Sequence, residues 1–166
     1  AERFGLGSPI GIREQGIIEA EGNTPDADAY YSNGDIANLS IGQGEIMATP
    51  VQVANIIATI ANGGIKNKVN IVDSIIDENG NKIRTIRKDE GNRIISKDVA
   101  YRIKRFMEEV TSTGTGTEAN LDLYGGTGGK TGSAETSRSE VVHAWFGGYF
   151  PRIDPKYAIC VFVENG

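Results

Sequence analysis

Apolar residues recur along this chain with different periods, and each period predicts an element. Val53, Ile56, Ile57, Ile60 and Ala61 fall at helical spacing. Thr49-Pro50 supplies a capping hydroxyl and a proline at the first helical position, and Gly63-Gly64 stops the run. Val51, Ala54 and Ala58 occupy its other faces, so a core helix is expected. A second stripe of Val99, Ile103, Phe106, Met107 and Val110 predicts an amphipathic helix. It starts at Ser96 and ends at Gly114-Thr115-Gly116, with Arg102, Lys104, Arg105, Glu108 and Glu109 outside the stripe. Between the two helices, Val69 to Ile76 and Lys82 to Arg87 flank Asp77-Glu78-Asn79-Gly80, the pattern of a β-hairpin around an Asn-Gly turn.

Toward the C-terminus the period changes again. Thr127 to Thr136 is polar and glycine-rich, Val142 to Phe150 is aromatic, and Tyr157 to Glu164 is almost continuously apolar. Three strands are expected, the last two joined by Pro151-Arg152-Ile153-Asp154-Pro155. The unbroken run from Ala158 to Val163 predicts a strand covered on both faces. Short connections favour an antiparallel meander flanked by helices, an α+β arrangement. Residues 1–38, rich in Gly, Pro, Asn and Asp, predict a long irregular segment of the kind often tied to function or to missing parts.

Composition narrows the function classes. The 166 residues suit one compact domain, with 39% hydrophobic and 23% charged residues. A net charge of −5 with no Lys/Arg cluster argues against a nucleic-acid partner. The longest nearly apolar stretch, Val51 to Ala61, is interrupted by Gln52, Asn55 and Thr59, whereas a membrane span needs about 20 apolar residues. Ala1-Glu2-Arg3-Phe4 leads into glycine-rich sequence, so no signal peptide is expected. Cys160 stands alone among apolar neighbours and reads as a small core residue. No cluster of Cys, His and carboxylates suggests a metal, and no cofactor is expected.

The chemistry concentrates in Lys130-Thr131-Gly132-Ser133, preceded by Gly125-Gly126-Thr127-Gly128-Gly129. Lys-Thr-Gly is one of the signatures of penicillin-binding proteins and class A β-lactamases, enzymes of serine acyl transfer. That chemistry needs a compact cation and hydroxyls to hold a carboxylate, and a glycine that lets a substrate backbone approach the strand. Strand alternation sets Thr131 and Ser133 on one face and Lys130 on the other, so a site using all of them must run along the strand edge.

Five further segments occur in order around this motif. Gly34-Asp35-Ile36-Ala37-Asn38-Leu39-Ser40-Ile41-Gly42-Gln43-Gly44 is followed by Thr49-Pro50-Val51-Gln52-Val53-Ala54, then by the Gly114-Thr115-Gly116 loop, then by His143-Ala144-Trp145-Phe146-Gly147-Gly148-Tyr149 with Val163-Glu164-Asn165-Gly166. Together they resemble the C-terminal portion of the transpeptidase domain of a class B penicillin-binding protein, from Phe4 onward. The resemblance implies the penicillin-binding transpeptidase and β-lactamase-like fold, here incomplete. It also implies a peptidoglycan D,D-transpeptidase that cross-links stem peptides through a serine acyl-enzyme and is trapped by β-lactams, on the extracytoplasmic face of the bacterial membrane. Lys130 would belong to the electrostatic network of the site, and Thr131, Gly132 and Ser133 would bind substrate. The backbone N–H of Ala134 would contribute to the oxyanion hole.

Two of the family's elements are missing from these residues. No serine has lysine three positions later, and the Ser-x-Asn element is absent. Tyr31-Ser32-Asn33 imitates a variant of it but stands immediately before the Gly34–Gly44 segment, where the family does not place it. Residues 1–166 are therefore expected to be one domain's C-terminal portion, lacking the upstream nucleophile region and the final helix. They would supply the binding strand but no nucleophile, with an edge of strand 157–164 open to self-association. Competing readings are a non-catalytic β-lactam sensor or scaffold domain of the same superfamily and, remotely, a P-loop nucleotide-binding protein. The P-loop would need Gly where Tyr124 stands, and a helix after Lys130-Thr131. His143, the single histidine, is not expected to be catalytic.

Overall fold

The computed structural model describes residues 1–26, 28–86, 90–136 and 141–166. Its elements run α1 (Asn33–Ser40), α2 (Pro50–Ala61), β1 (Ile65–Lys66), β2 (Ser74–Ile76), β3 (Lys82–Thr85), β4 (Asn92–Arg93), α3 (Lys97–Ser112), β5 (Gly128–Glu135), β6 (Val142–Phe150) and β7 (Tyr157–Val163), with short 3₁₀ turns between. β5, β6 and β7 form an antiparallel sheet in that order, and α2 and α3 pack on one face of it. The α+β meander expected from the pattern is therefore present.

The core sits where α2 and α3 meet the sheet: Ile57 and Ile60 of α2, Met107 of α3 and Tyr149 of β6 are buried together. Tyr149 fixes this junction, because its hydroxyl donates to Glu108 Oε1 at 3.2 Å and also lies 3.3 Å from the Lys104 carbonyl oxygen. Burial and the Glu108 carboxylate together push its pKa well up, so it remains a neutral donor.

α2 begins as the sequence predicts. Thr49 Oγ1 accepts the Gln52 N–H while Gln52 Oε1 accepts the Thr49 N–H, closing a capping box ahead of Pro50. Gln52, Asn55 and Thr59, which interrupt the apolar run in sequence, are themselves buried. Gln52 Nε2 lies 3.2, 3.1 and 2.8 Å from the carbonyl oxygens of Gly5, Ser8 and Glu21, so the N-terminal segment folds onto the start of this helix.

Four expectations are corrected. A helix, α1, lies across the end of the segment read as irregular. Ser32 and Asp35 cap it with a reciprocal box, and no residue in it is buried, so no apolar stripe announces it. In α3 the buried line is Ala100, Met107 and Thr111, and Val99 and Phe106 are exposed. The predicted stripe is broader than the strip that the sheet covers. β7 is covered on one face only: Ile159, Val161 and Val163, on the face away from α2, are 52%, 43% and 48% exposed. The hairpin is shorter than read, Ser74–Ile76 against Lys82–Thr85 with a register shift after Ile75, because little of either strand packs on anything. Its predicted end, Arg87, lies outside the described residues.

Candidate active site

β5 carries the motif, and its pairing sets which groups face outward. Lys130 stands opposite Gly147, Thr131 opposite Phe146, Gly132 opposite Trp145, Ser133 opposite Ala144 and Ala134 opposite His143. Directly paired residues share a face, so Lys130 lies with Gly147 on the α2 side, where a Cβ on Gly147 would come within 3.1 Å of Ile57. Thr131 and Ser133 project from the other face. Among the described residues β5 pairs with β6 alone, leaving one edge free, and a groove of about 660 Å³ spans β5 and the α2 side of β6, below α2 and the loop before it. Lys130, Thr131, Gly132, Ser133 and Ala134 all line it, with Thr115, Trp145, Val53 and Ile57. The groove thus brings together side chains that strand alternation separates.

Backbone polarity along the edge follows from three contacts. The Thr131 carbonyl accepts from Lys130 Nζ at 2.6 Å, and the Ser133 carbonyl accepts from Gln43 Nε2 at 3.1 Å, so both point to the free edge. The Thr136 N–H donates to the Val141 carbonyl at 3.2 Å, so the even-numbered residues point to β6. In an antiparallel strand a residue's N–H and C=O share one direction, which alternates residue by residue. The outward N–H is therefore that of Ser133, and Ala134 turns its N–H into the ladder opposite His143. Ala134, expected to give an oxyanion-hole N–H, thus directs it to β6 and not to the free edge.

The glycines immediately before the lysine make room for aromatic rings. A Cβ on Gly128 would meet the Tyr149 ring at 2.4 Å, and one on Gly129 the Phe146 ring at 2.4 Å. Gly132 differs: its nearest neighbour would be Trp145 Cβ at 3.6 Å, an ordinary contact.

Two further polar residues border the site. Thr115, in the loop after α3, places its hydroxyl 2.7 Å from that of Thr131. Gln43, between Gly42 and Gly44, reaches Ser133 from the loop before α2. Both stand in segments that carry the family resemblance, but a polar residue between two glycines gives no hint of its target. Only the tertiary pairing supplies it.

The loop that presents Gln43 is held from behind. The Asn23 N–H donates to the Met47 carbonyl at 2.8 Å, the Met47 N–H returns to the Asn23 carbonyl at 3.1 Å, and Asn23 Nδ2 donates to the Glu45 carbonyl at 2.8 Å. Gly22, at φ +68°, is needed there, since a Cβ would lie 2.3 Å from the Met47 carbonyl oxygen. Upstream, the buried Glu19 carboxylate accepts the N–H groups of Gly11, Ile12 and Arg13 at 3.2–3.3 Å, and that of Ile10. Burial alone would raise its pKa, but these four donors outweigh it and hold the carboxyl below its usual range.

The other candidates resolve simply. Ser32, of the Tyr31-Ser32-Asn33 imitation, is the cap of α1. The His143 ring packs edge-on against Phe162 at 5.0 Å. β5 continues as strand through Glu135, so Lys130 and Thr131 open no helix of the kind a phosphate loop requires. Among the described residues no group of three or more His, Cys, Asp or Glu could hold a metal.

Comparison with known proteins agrees with this geometry. The peptidoglycan D,D-transpeptidase PbpA of Mycolicibacterium smegmatis is 33% identical over 172 residues, covering 100% of this chain and 33% of that protein. Penicillin-binding protein H of Bacillus subtilis is 32% identical, covering 98% of this chain and 24% of that protein. The imipenem acyl-enzyme complex of penicillin-binding protein A from M. tuberculosis superposes with a TM-score of 0.87 at 31% identity, covering 100% of this chain and 36% of that one. The chain spans a third or less of the length of these two relatives. Residues 1–166 match the family described as the penicillin binding protein transpeptidase domain, and the chain belongs to that family.

Proposed function

We propose that this chain forms the substrate-binding edge of a serine acyl-transfer site in a peptidoglycan D,D-transpeptidase of class B type. The observation that carries this reading is the free edge of β5, where a cation, two hydroxyls and an outward amide border one groove. Thr131 and Ser133 hydrogen-bond the carboxylate of a peptide ending in D-Ala-D-Ala, or of a β-lactam. Lys130 lowers the potential energy of negative charge there. The Ser133 N–H faces the oxygen that becomes negative as the carbonyl turns tetrahedral. Gly132 leaves room for the substrate backbone. The serine nucleophile comes from a Ser-x-x-Lys element outside residues 1–166, since none occurs within them.

In the reaction, serine oxygen bonds to the carbonyl carbon of the penultimate D-Ala and the terminal D-Ala leaves with the proton on its amine. An acceptor amine then displaces the serine. Neighbouring structures support this reading as acyl-enzymes of imipenem and penicillin G. We place the reaction on the extracytoplasmic face of the cell membrane; no helix of the described residues is long and apolar enough to cross it. We also infer that residues 1–166 expressed alone self-associate through the open edge of β7. The test of the activity is D-alanine release from a D-Ala-D-Ala donor by the full-length protein, in proportion to cross-linked product. Acylation by β-lactams with no D-alanine release from any donor would make the protein a sensor instead.

A further inference from the structure

Two outward carbonyls on the free edge of β5, those of Thr131 and Ser133, are already engaged by donors from the chain itself. Lys130 Nζ curls back to the Thr131 carbonyl at 2.6 Å, and Gln43 Nε2 crosses from the loop before α2 to the Ser133 carbonyl at 3.1 Å. These contacts differ in kind. Lys130 belongs to the strand and rotates away on its own flexible stem. Gln43 comes from a loop 90 residues distant in sequence, anchored by the Asn23–Met47 pairing, so its amide is positioned by tertiary structure.

An extended peptide that adds to a strand edge binds by giving its N–H groups to the edge carbonyls and taking the edge N–H groups in return. At Ser133 the edge N–H is open to a substrate oxygen, while the matching carbonyl is engaged by Gln43. A ligand that presents an N–H to that carbonyl competes with the Gln43 amide. A ligand without such an N–H does not. An unoccupied edge is also a template for unwanted strands, and a side-chain donor placed on it reduces that hazard.

We propose that Gln43 is a specificity-determining residue of this site: its amide caps the Ser133 carbonyl and selects against ligands that must take that acceptor. The inference rests on the acyl-transfer reading above. Gln43 touches neither the nucleophile nor the bond that breaks in this account, so its effect falls on recognition.

Two β-lactams separate the cases. Penicillin G carries a side-chain amide N–H beside its lactam ring, and imipenem carries a hydroxyethyl group there and no amide. The experiment measures second-order acylation rates of the full-length protein with both, in wild type, Gln43→Met and Gln43→Ala. Methionine keeps the length and removes the donor. The ratio of the penicillin G rate to the imipenem rate should rise about two- to tenfold in both variants, the range expected when one competing hydrogen bond is removed. The imipenem rate itself should stay within about twofold of wild type. An unchanged ratio, or parallel loss of both rates, would overturn the proposal and leave Gln43 as a support of its loop. Wild-type protein acylated by neither compound would instead refute the acyl-transfer reading, and this inference with it.

Discussion

Glu19 shows how far from the groove the site's support begins. Its carboxylate, buried among the N–H groups of residues 10–13, closes the turn that leads to Gly22 and Asn23, and these hold the Gln43 loop. Its folded pKa lies below the ordinary 4.5, so the stability it contributes is complete above that value and is lost as pH falls through the folded pKa. Glu19→Gln should lower the melting temperature near neutral pH, and the gap to wild type should close as the pH drops below 4.5. A gap that does not depend on pH would show that the charge has no part in it. Sequence alone did not reveal this residue: it stands in the segment read as irregular, and its four donors are backbone groups, which leave no trace in residue identity. Gln52 is similar, legible as an interruption of a helix stripe and not as the clamp of three carbonyls.

At the scale of elements, the strands were the more legible. Thr127–Thr136, Val142–Phe150 and Tyr157–Glu164 correspond to β5, β6 and β7 within a residue at each end, because glycine, aromatic and aliphatic runs give each its own composition. α2 was legible from its cap and its stop. α1 was not, since its stability comes from a capping box and not from buried apolar residues. The contribution of the glycines on β5 was half legible. The glycine of Lys-Thr-Gly reads as room for a substrate backbone, and an added Cβ on Gly132 would make only an ordinary 3.6 Å contact, whereas Gly128 and Gly129 accommodate the rings of Tyr149 and Phe146. Gly129→Ala should therefore cost about 1–3 kcal/mol of stability through overpacking. Gly132→Ala should leave the unfolding midpoint nearly unchanged and slow acylation of the full-length protein. Chemical denaturation of both variants checks the first effect and β-lactam acylation kinetics the second; equal destabilisation by the two would contradict the assignment.

For the whole molecule, the sheet ends on an apolar strand with nothing beside it among the described residues. Tyr157, Ile159, Val161 and Val163 share one exposed face, and the edge of β7 presents unpaired N–H and C=O groups next to them. The unbroken run that predicted burial on both faces was a sound reading of the residues, but the described chain covers only the α2 side. Residues 1–166 alone should self-associate through this edge. Light scattering should show an average mass that rises with concentration, and amides of residues 157–163 should exchange more slowly as it does. A monomer at all concentrations with fast exchange there would contradict the inference.

The central claim is that the groove along β5 is the binding half of a serine acyl-transfer site with its nucleophile elsewhere, and intact mass after exposure to penicillin G tests it most directly. The full-length protein should gain one penicilloyl group, mapped by peptide digestion to a serine outside residues 1–166. Lys130→Ala should acquire it more slowly by about 10²-fold or more while keeping the wild-type unfolding profile. No adduct on the full-length protein, an adduct on a residue within 1–166, or an undiminished rate in Lys130→Ala would contradict the account.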